Sequence, residues 1–540
     1  MNSSRSRRSK TPLSFDLTLE GVPTLQRGPK RGDECLVKIN KLDSKGLGVA
    51  LVDALVGPQK ELKSYAIRVP HTLPDEVVRV AVDKTRKGEV ATSRLELVHT
   101  SEDRIVSQCP HFGLQNLEQN QGCGGCTIQS VSYATQLELK QQVVSQAFED
   151  YPEVTPLIQP VMACESPLYY RNKMEFSFGD HLHTTFAVGL HPAGRRYDVL
   201  ELQSCHLLSP WVEALLPALS SWCVEHDVKP FSHAKNGGFL RQLMMREGKN
   251  TGERLVELMT SAVPTAVFDG EEREAQFVAH QVCEQILAIS KDAGFDIRTV
   301  YWTQHYAKKG ERSRQIEEVV HGDGVFHETL QIGTQKTLDF AIHPRAFFQP
   351  NTRQAQHLYE EVLLAANLLK RNAHGELVAS EESDKKPQLA LDLYCGTGTI
   401  ALCLAPFVDR VVGVELNAQA VENANKNAVH NALGNVRFFA GDVAEVLEQD
   451  DFISEVGEQG VDLVVVDPPR AGLMPQAIAH INAINAPVLV YVSCNPRSLA
   501  RDLGRLQESS DYELISVQPV DMFPQTMHVE NVALFKRRES

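Results

Sequence analysis

Long apolar runs are missing from this sequence, in which no stretch approaches the roughly 20 consecutive apolar residues of a membrane-spanning helix. The basic, Ser-rich beginning, MNSSRSRRSK, is not followed by an apolar segment of signal-peptide length. Cysteine is sparse, with 11 residues among 540, which is too few for a disulfide scaffold in a chain of this size. We therefore expect a cytoplasmic protein in a reducing compartment, with no membrane partner.

Basic residues are fewer than acidic ones, 54 against 69, but they are in excess at one end of the chain. The formal net charge is −15, whereas residues 1–100 contain 18 Lys and Arg against 12 Asp and Glu. A local excess of basic residues is typical of a nucleic-acid-binding module, although an unevenly charged, solvated surface is the alternative. We expect a disordered basic arm over residues 1–29.

Residues 30–99 have the pattern of short β-strands. Five segments alternate apolar with polar residues between Gly, Pro and charged turns: CLVKINKLD, GLGVALVD, YAIRVPHTL, EVVRVAVDK and GEVATSRLELV. Five short strands in about 70 residues indicate a small β-barrel of the OB type, a frequent nucleic-acid binder. The sequence KINKLDSKGLGVAL and the turn at 73–77 resemble the RNA-binding TRAM domain.

From Leu389 onward, apolar strands alternate with amphipathic helices. The strand-like segments are LALDLY, RVVGVEL, VRFFAGD, LVVVDPPR and APVLVYVSC. This order predicts an α/β fold with a mostly parallel, Rossmann-like sheet that has helices on both faces and a ligand site at the carboxyl ends of its strands. The polar stretch at about 371–388 is predicted to be an exposed insertion.

Residues at the strand ends indicate an adenosine ligand. Gly396 and Gly398 permit a tight strand-to-helix turn and close approach of a ligand. Glu415, about 20 residues later, can accept both ribose hydroxyls, and Asp442 after the third strand suits an adenine amino group. A nicotinamide dehydrogenase also has an acid after its second strand, but the GxGxxG motif is absent. The pattern therefore favours adenosine without a pyrophosphate.

Five motifs follow one another in a fixed order: D-x-Y-C-G-x-G, E-x-N, G-D, D-P-P-R and S-C-N-P. As a set they resemble the RNA (uracil-5-)-methyltransferase family. The resemblance implies a Rossmann-like methyltransferase domain that uses S-adenosylmethionine, preceded by a TRAM domain and a central α+β iron–sulfur domain. It also implies that six residues contact the cofactor, namely Gln349, Tyr394, Thr399, Glu415, Asp442 and Asp467.

Methylation at C5 of uracil requires a nucleophile and a base. C5 becomes reactive only after a thiolate adds at C6, and the C5 proton must then be removed. By resemblance, Cys494 is the nucleophile and Glu530 the base. We expect Arg497 and the start of the following helix to lower the pKa of the Cys494 thiol. An RNA cytosine C5 methyltransferase would also use a cysteine and is the chemical alternative.

Four cysteines, Cys109, Cys123, Cys126 and Cys205, form a candidate metal site. The spacing of Cys123 and Cys126 occurs in both zinc and iron–sulfur sites, so it does not identify the metal. The resemblance implies a [4Fe-4S] cluster. Since methyl transfer needs no electrons and the CxxxCxxC motif of radical enzymes is absent, we expect a structural or RNA-positioning role.

The predicted domains are therefore the arm at 1–29, the TRAM domain at 30–99, the central domain at 100–338 and the methyltransferase domain at 339–540. The predicted activity is methylation of C5 of a uridine in RNA through a covalent adduct with Cys494. The TRAM domain and the four cysteines favour 23S ribosomal RNA, with a tRNA uridine as the alternative. A non-catalytic, RNA-binding iron–sulfur protein is the hypothesis from a different class. We expect a monomer with no DNA partner.

Overall fold

The computed structural model describes residues 14–15, 24–25, 27–113, 122–181, 184–193, 197–233, 235–307, 310–334, 336–380, 387–457, 460–509 and 511–538. The predicted basic arm at 1–29 lies almost entirely outside these residues. Two compact units are present. One comprises Met1–Gln136, His191–Arg196 and Gln525–Met527, and the other comprises Leu137–Leu190, Tyr197–Pro524 and His528–Ser540. None of the helices within the described ranges is long and apolar enough to cross a membrane.

The first unit is built on one sheet. Its strands are β1 (Ser14–Phe15), β2 (Thr24–Leu25), β3 (Glu34–Lys38), β4 (Lys41–Leu42), β5 (Gly48–Val56), β6 (Glu61–Val69), β7 (Val77–Arg86) and β8 (Glu89–His99). They pair in the order β1-β3-β7-β8-β6-β5-β2, with β4 added to β5. Alternate residues such as Val78, Val80 and Val82 of β7 enter one core, as the period of two requires. The prediction of five successive strands in this region is confirmed.

The next part of the chain, belonging mainly to the second unit, forms another sheet with helices. The helices are α1 (Tyr133–Ala147), a 3-10 helix (Pro152–Leu157), α2 (Trp211–Glu225) and α3 (Ala275–Asp292). The strands are β9 (Lys173–His181), β10 (Thr184–Leu190), β11 (Leu200–Glu201), β12 (Leu240–Glu247), β13 (Arg254–Ser261), β14 (Thr265–Phe268), β15 (Glu271–Glu274), β16 (Thr299–Tyr306), β17 (Arg314–His321), β18 (Phe326–Ile332) and β19 (Lys336–Ile342). Seven of them form a sheet in the order β11-β10-β9-β12-β13-β16-β17.

The rest of the second unit is a parallel sheet with helices. Its helices are α4 (Thr352–Ala365), α5 (Thr399–Leu404), α6 (Ala418–His430), α7 (Val443–Val446), α8 (Asp450–Val456), α9 (Pro475–Ile484) and α10 (Pro496–Ser509). Its strands are β20 (Leu369–Arg371), β21 (Leu377–Ala379), β22 (Leu389–Leu393), β23 (Arg410–Glu415), β24 (Val436–Ala440), β25 (Leu463–Val466), β26 (Val488–Ser493), β27 (Tyr512–Val520) and β28 (Glu530–Arg537). The sheet order is β24-β23-β22-β25-β26-β28-β27, with β28 antiparallel to both neighbours.

Both faces of this sheet are buried, which explains the nearly continuous apolar strands. In β22, Leu389, Leu391 and Leu393 enter one hydrophobic core, whereas Ala390 enters the core on the opposite face. A parallel sheet covered by helices on both sides favours apolar residues at nearly every strand position. The predicted α/β class and Rossmann-like sheet are confirmed.

The predicted insertion at 371–388 is partly ordered structure. Strands β20 and β21 pair as an antiparallel hairpin across its beginning, and Leu377 and Ala379 pack against the core. Residues 371 and 373–376 are exposed, whereas 377–380 are half-buried. A few apolar residues among many polar ones thus attach a short hairpin to the core. Residues 381–386 of the stretch lie outside the described residues.

A buried carboxylate connects helix α10 to two neighbouring segments. Asp502 is fully buried and accepts hydrogen bonds from the backbone N–H of Leu473 at 2.7 Å and the hydroxyl of Tyr491 at 3.0 Å. Arg501 and Arg505 neutralise its charge at 2.9 and 3.3 Å. One side chain therefore joins α10, strand β26 and the loop that follows residue 470.

Replacing Asp502 by Ala should lower the free energy of unfolding by about 3 kcal/mol, because it leaves buried donors and cations without their acceptor. Asp511→Ala is the matched control: the Asp511 side chain is 72% exposed and lies 3.8 Å from Arg537, so its loss should cost less than about 0.5 kcal/mol. Urea denaturation of both variants measures the difference. Equal stability of the two variants would contradict this role.

Candidate active site

One cavity of about 1340 Å³ lies at the carboxyl ends of the parallel strands. All eight residues predicted to contact the cofactor or to react line it, namely Gln349, Tyr394, Thr399, Glu415, Asp442, Asp467, Cys494 and Glu530. They come from separate segments of the chain. The structure thus brings the whole predicted set to one place, although the role of each residue stays a prediction.

The turn after β22 shapes the floor of this cavity. Gly398 has φ 76°, and a Cβ atom there would lie 2.6 Å from the ring of Phe438, so only glycine fits. Gly396 has φ 56° with open space where its Cβ would be. Its N–H donates to Glu415 Oε2 at 3.1 Å, and the N–H of Asn417 donates to the other oxygen at 2.8 Å. The Glu415 carboxylate is therefore fixed in position at the cavity wall.

The other predicted contacts are held by backbone geometry. Tyr394 has φ 67° directly after β22, and burial raises the pKa of its hydroxyl to about 12. Asp442 caps helix α7 by accepting from the N–H of Ala444 at 2.9 Å. The backbone carbonyl of Gln349 accepts from the Asn172 amide at 2.8 Å, and Thr399 is buried at the start of α5. The hydrogen bonds of Asp442 and Gln349, and the backbone positions of Tyr394 and Thr399, restrict four residues that line the cavity.

Strand register places Cys494 beside Glu530. Strands β26 and β28 are antiparallel, and their last pair is Ser493 with Asn531. The Asn531 amide donates to the Ser493 carbonyl at 3.1 Å and fixes this end of the ladder. Because antiparallel partners advance in opposite directions, the next residues are Cys494 and Glu530, which both line the cavity.

Burial keeps protons on both predicted reactive groups. Burial, together with the nearby Asp467 and against the opposing charge of Arg470, raises the pKa of the Glu530 carboxyl to about 8. Burial, followed by the charges of Glu530 and Asp467, raises the pKa of the Cys494 thiol to about 11. The expectation that this pKa is lowered was therefore wrong. The opposing cation is Arg470, since Arg497 is exposed and is not among the groups that shift the thiol.

Asp467 and Arg470 belong to the turn after β25. The Asp467 carboxyl lies deep in the cavity wall, where burial raises its pKa to about 7. The Asn495 amide, next to Cys494, donates to the Arg470 carbonyl at 3.1 Å. This bond ties the D-P-P-R turn to the residue that follows the nucleophile.

Further residues line the cavity that the sequence did not indicate. They are contributed by several segments and include Arg171, Glu317, His343, Arg345, Phe523 and His528. Burial lowers the pKa of His528, and Arg470, Lys140 and Arg171 lower it further. His528 lies two residues before Glu530, which was a usable signal. The other residues had no such sequence signal, because they are not at a fixed distance along the chain from any of the motifs.

Comparison with known proteins shows what the chain is related to. Residues 310–538 match the model of the tRNA (uracil-5-)-methyltransferase family, and residues 29–95 match the TRAM domain. An uncharacterized RNA methyltransferase of Protochlamydia amoebophila is 34% identical over 87% of this chain and 99% of its own length. The chain belongs to this methyltransferase family. The resemblance read from the motifs is confirmed, and the protein is an RNA methyltransferase enzyme.

Other members of the family and a solved structure agree with this assignment. An uncharacterized RNA methyltransferase of Caldanaerobacter subterraneus is 32% identical over 94% of this chain and 99% of its own length. The structure of Pyrococcus abyssi tRNA (uracil-54, C5)-methyltransferase in complex with S-adenosyl-L-homocysteine is 25% identical. That match has a TM-score of 0.63 and covers 93% of this chain and 100% of the other.

The four-cysteine site predicted from the family motif does not appear among the described residues. Within those ranges, no group of three or more His, Cys, Asp or Glu side chains is placed to hold a metal ion. Cys109, Cys123 and Cys126 belong to the first unit and Cys205 to the second. The prediction of an iron–sulfur domain is therefore not supported by the geometry, and the segment 114–121 between the first two cysteines lies outside the described residues.

The charges around Cys494 predict how its thiol responds to substitution. The Glu530 carboxyl is ionised only above about pH 8, so Glu530→Gln removes a negative charge in that range and should lower the pKa of the Cys494 thiol. Alkylation by iodoacetamide at about pH 9.5 should then be about tenfold faster for each pKa unit. Arg470→Gln removes the opposing cation and should slow the reaction. Arg497→Gln, a matched control on the adjacent helix, should leave the rate unchanged. Alkylation rates across pH, with Cys494→Ala as the blank, measure all three, and a slower reaction in Arg497→Gln alone would show that the wrong arginine has been assigned.

Proposed function

We propose that this enzyme transfers a methyl group from S-adenosylmethionine to C5 of a uridine in 23S ribosomal RNA, as a cytoplasmic monomer. The observation that supports the chemistry is the adjacent pair of Cys494 and Glu530 at the edge of a cavity suited to an adenosine cofactor. A thiol and a carboxyl side by side are the two groups that C5 methylation needs.

The cavity residues fit S-adenosylmethionine. Glu415, whose two oxygens are held by backbone N–H groups, faces the cavity where ribose hydroxyls can donate to it. Tyr394, Asp442 and Gln349 supply the remaining polar and aromatic wall. Burial raises the pKa of the Asp467 carboxyl without an opposing cation, so a positively charged ligand would favour its ionised form. The cofactor supplies an electrophilic methyl group on a sulfonium.

Cys494 and Glu530 divide the reaction between them. Cys494 and Glu530 first release to solvent the protons that they hold at rest. The Cys494 thiolate then adds to C6 of the uracil, and the electron pair of the C5–C6 double bond moves toward C5 and the O4 carbonyl. C5 then attacks the methyl group of S-adenosylmethionine, the bond between that methyl and the sulfonium sulfur breaks, and the sulfur leaves with the electron pair as the neutral thioether of S-adenosylhomocysteine. The Glu530 carboxylate removes the remaining C5 proton, the double bond forms again, and the S–C6 bond breaks to release the thiolate. The Glu530 carboxyl then holds the C5 proton, which is its resting state, and the released Cys494 thiolate regains a proton from solvent. Over the whole cycle the methyl group replaces the C5 proton, and one proton is released to solvent.

The RNA target is proposed from the accessory domain. The first unit has a TRAM domain, and the basic excess of residues 1–100 suits an RNA partner. A tRNA uridine is the second candidate. The Pyrococcus abyssi enzyme, whose structure matches 93% of this chain, is a tRNA (uracil-54, C5)-methyltransferase.

RNA that contains 5-fluorouridine separates these possibilities. Fluorine cannot leave C5 as a cation, so the methylated base should remain attached to Cys494. We expect 23S ribosomal RNA, and not tRNA, to form an adduct that survives denaturing electrophoresis and contains label from the methyl donor. Cys494→Ala should form none, whereas Glu530→Gln should accumulate a methylated adduct even with ordinary uridine.

The matched control for this experiment is Cys35→Ala, which removes a buried thiol from strand β3 of the first unit. It should form the adduct as the unaltered enzyme does. An adduct in Cys494→Ala, or fast release from Glu530→Gln, would show that the reactive residues are assigned wrongly. An adduct with tRNA alone would move the target to the second candidate.

We also propose a [4Fe-4S] cluster on Cys109, Cys123, Cys126 and Cys205, supported by the sequence spacing and by N–H donors to sulfur. The Sγ of Cys123 accepts from the N–H of Gly125, and the Sγ of Cys126 from the Gln129 amide, each at 3.4 Å. Burial raises the pKa of the Cys109 thiol, whereas backbone N–H groups of His111 and Phe112 lower it. Hydrogen bonds of this kind stabilise thiolate ligands.

Anaerobically purified protein should contain iron and acid-labile sulfide in equal amounts and absorb in the visible range. Cys123→Ser should lose both, because one of four ligands is removed. Cys223→Ser, a buried cysteine of helix α2, is the control that should retain them. Stoichiometric zinc without sulfide would exclude the cluster.

A further inference from the structure

A second group of aromatic and basic side chains lies beside the central sheet, and the proposed reaction uses none of them. The group, which we call the aromatic–arginine strip, consists of Tyr197, His233, Phe231, Arg241, His305 and Arg345.

Neighbouring members of the strip contact one another. The ring centroids of Tyr197 and His233 are 4.7 Å apart, and those of His233 and Phe231 are 5.1 Å apart. The guanidinium of Arg241 lies 3.8 Å from the centroid of Phe231, and its Nη1 lies 3.4 Å from Nδ1 of His305. These contacts join the five members from Tyr197 to His305 into one continuous surface feature.

The strip is accessible, and a backbone irregularity positions its centre. Tyr197 is 58% exposed, and Phe231, Arg241 and His305 are partly exposed. In the pairing of β12 with β13, Leu240 faces Thr260 and Gln242 faces Met259, so Arg241 is the extra residue of a β-bulge. A bulge redirects the side chain of its extra residue relative to the regular alternation, and bulges are frequent next to active sites.

Arg241 is a cation without an acidic partner in the described chain. No carboxylate lies within ion-pair distance of it there, and its pKa is lowered by burial alone. Arg345 differs, because it pairs with Glu317 at 2.9 Å and with Glu257 at 3.1 Å. A half-buried guanidinium that lacks an anion is costly unless a ligand supplies one. Arg241 is therefore suited to bind an anionic group of a ligand that also covers Phe231.

One end of the strip reaches the active-site cavity. Arg345 lines that cavity together with His343 and Glu317. Arg345 pairs with Glu257, which accepts a hydrogen bond from the Thr303 hydroxyl at 2.6 Å. His305 lies two residues after Thr303 in strand β16 and therefore on the same face of the sheet. A polymer that lies along the strip would consequently lead into the cavity that holds Cys494 and Glu530.

We propose that the aromatic–arginine strip binds the single-stranded segment of the substrate RNA that adjoins the target uridine. Bases stack on Tyr197, His233 and Phe231, and a phosphate pairs with Arg241. Exposed aromatic rings that alternate with arginines are the means by which proteins hold unpaired RNA without reading its sequence. This inference rests on the proposed function, because it takes RNA to be the substrate.

The test measures binding of the full chain to a fluorescent oligouridylate of about twelve nucleotides. Arg241→Gln and Phe231→Leu should each weaken binding about tenfold. The slope of log affinity against log salt concentration should become shallower by about 1 for Arg241→Gln and stay unchanged for Phe231→Leu. Only the first substitution removes a phosphate contact. Arg437→Gln is the matched control, because Arg437 also lies over a ring, 5.0 Å from Phe439, but pairs with Glu455 away from the strip.

Calorimetric binding of S-adenosylhomocysteine shows that each variant is folded. Unchanged oligouridylate affinity in both strip variants, or an equal loss of affinity in Arg437→Gln, would show that the strip does not bind RNA. This conclusion would hold even if the unaltered enzyme methylates RNA. Failure of the unaltered enzyme to methylate any RNA, with oligouridylate affinity still lost in the strip variants, would instead reject the proposed function and retain the strip as an RNA-binding surface.

Discussion

The antiparallel pairing of β26 with β28 is the constraint on which the candidate site depends. Parallel strands alone could bring Cys494 to the cavity, but Glu530 comes from a later strand that runs in the opposite direction. The pairing of Ser493 with Asn531, held by the Asn531 side chain, fixes which residues come next. A shift by a single residue would turn Glu530 to the other face of the sheet and separate the base from the nucleophile.

The packing around this pair also determines its chemistry. Glu530, Asp467 and Cys494 lie in a wall where burial disfavours every negative charge, and Arg470 is the cation that opposes this effect at Glu530 and Cys494. Arg470 is held through the bond from Asn495 and through the loop that Asp502 anchors to helix α10. The same buried carboxylate that stabilises the fold thus positions the charge that governs the reactive groups.

The sequence predicted those features that depend on local pattern. Strand alternation indicated the N-terminal sheet, apolar strands followed by helices indicated the Rossmann-like sheet, and the motifs at strand ends indicated eight cavity residues. It failed where spatial neighbours are distant in sequence. Arg497 is close to Cys494 along the chain, but Arg470 is the arginine that acts on the thiol. The contact of Arg241 with Phe231 and the hydrogen bonds of Asp502 depend on tertiary packing, which no spacing reveals.

The raised pKa of Cys494 has a consequence for the survival of the enzyme in the cell. Peroxide and other oxidants attack the thiolate far faster than the thiol. A cysteine that keeps its proton until a substrate is present is a poor target for such damage, although it lies in an open cavity. Many thiol enzymes hold a permanently ionised cysteine and are inactivated under oxidative stress. Burial, with a smaller effect of Glu530 and Asp467, raises the pKa of the Cys494 thiol and so should slow its oxidation.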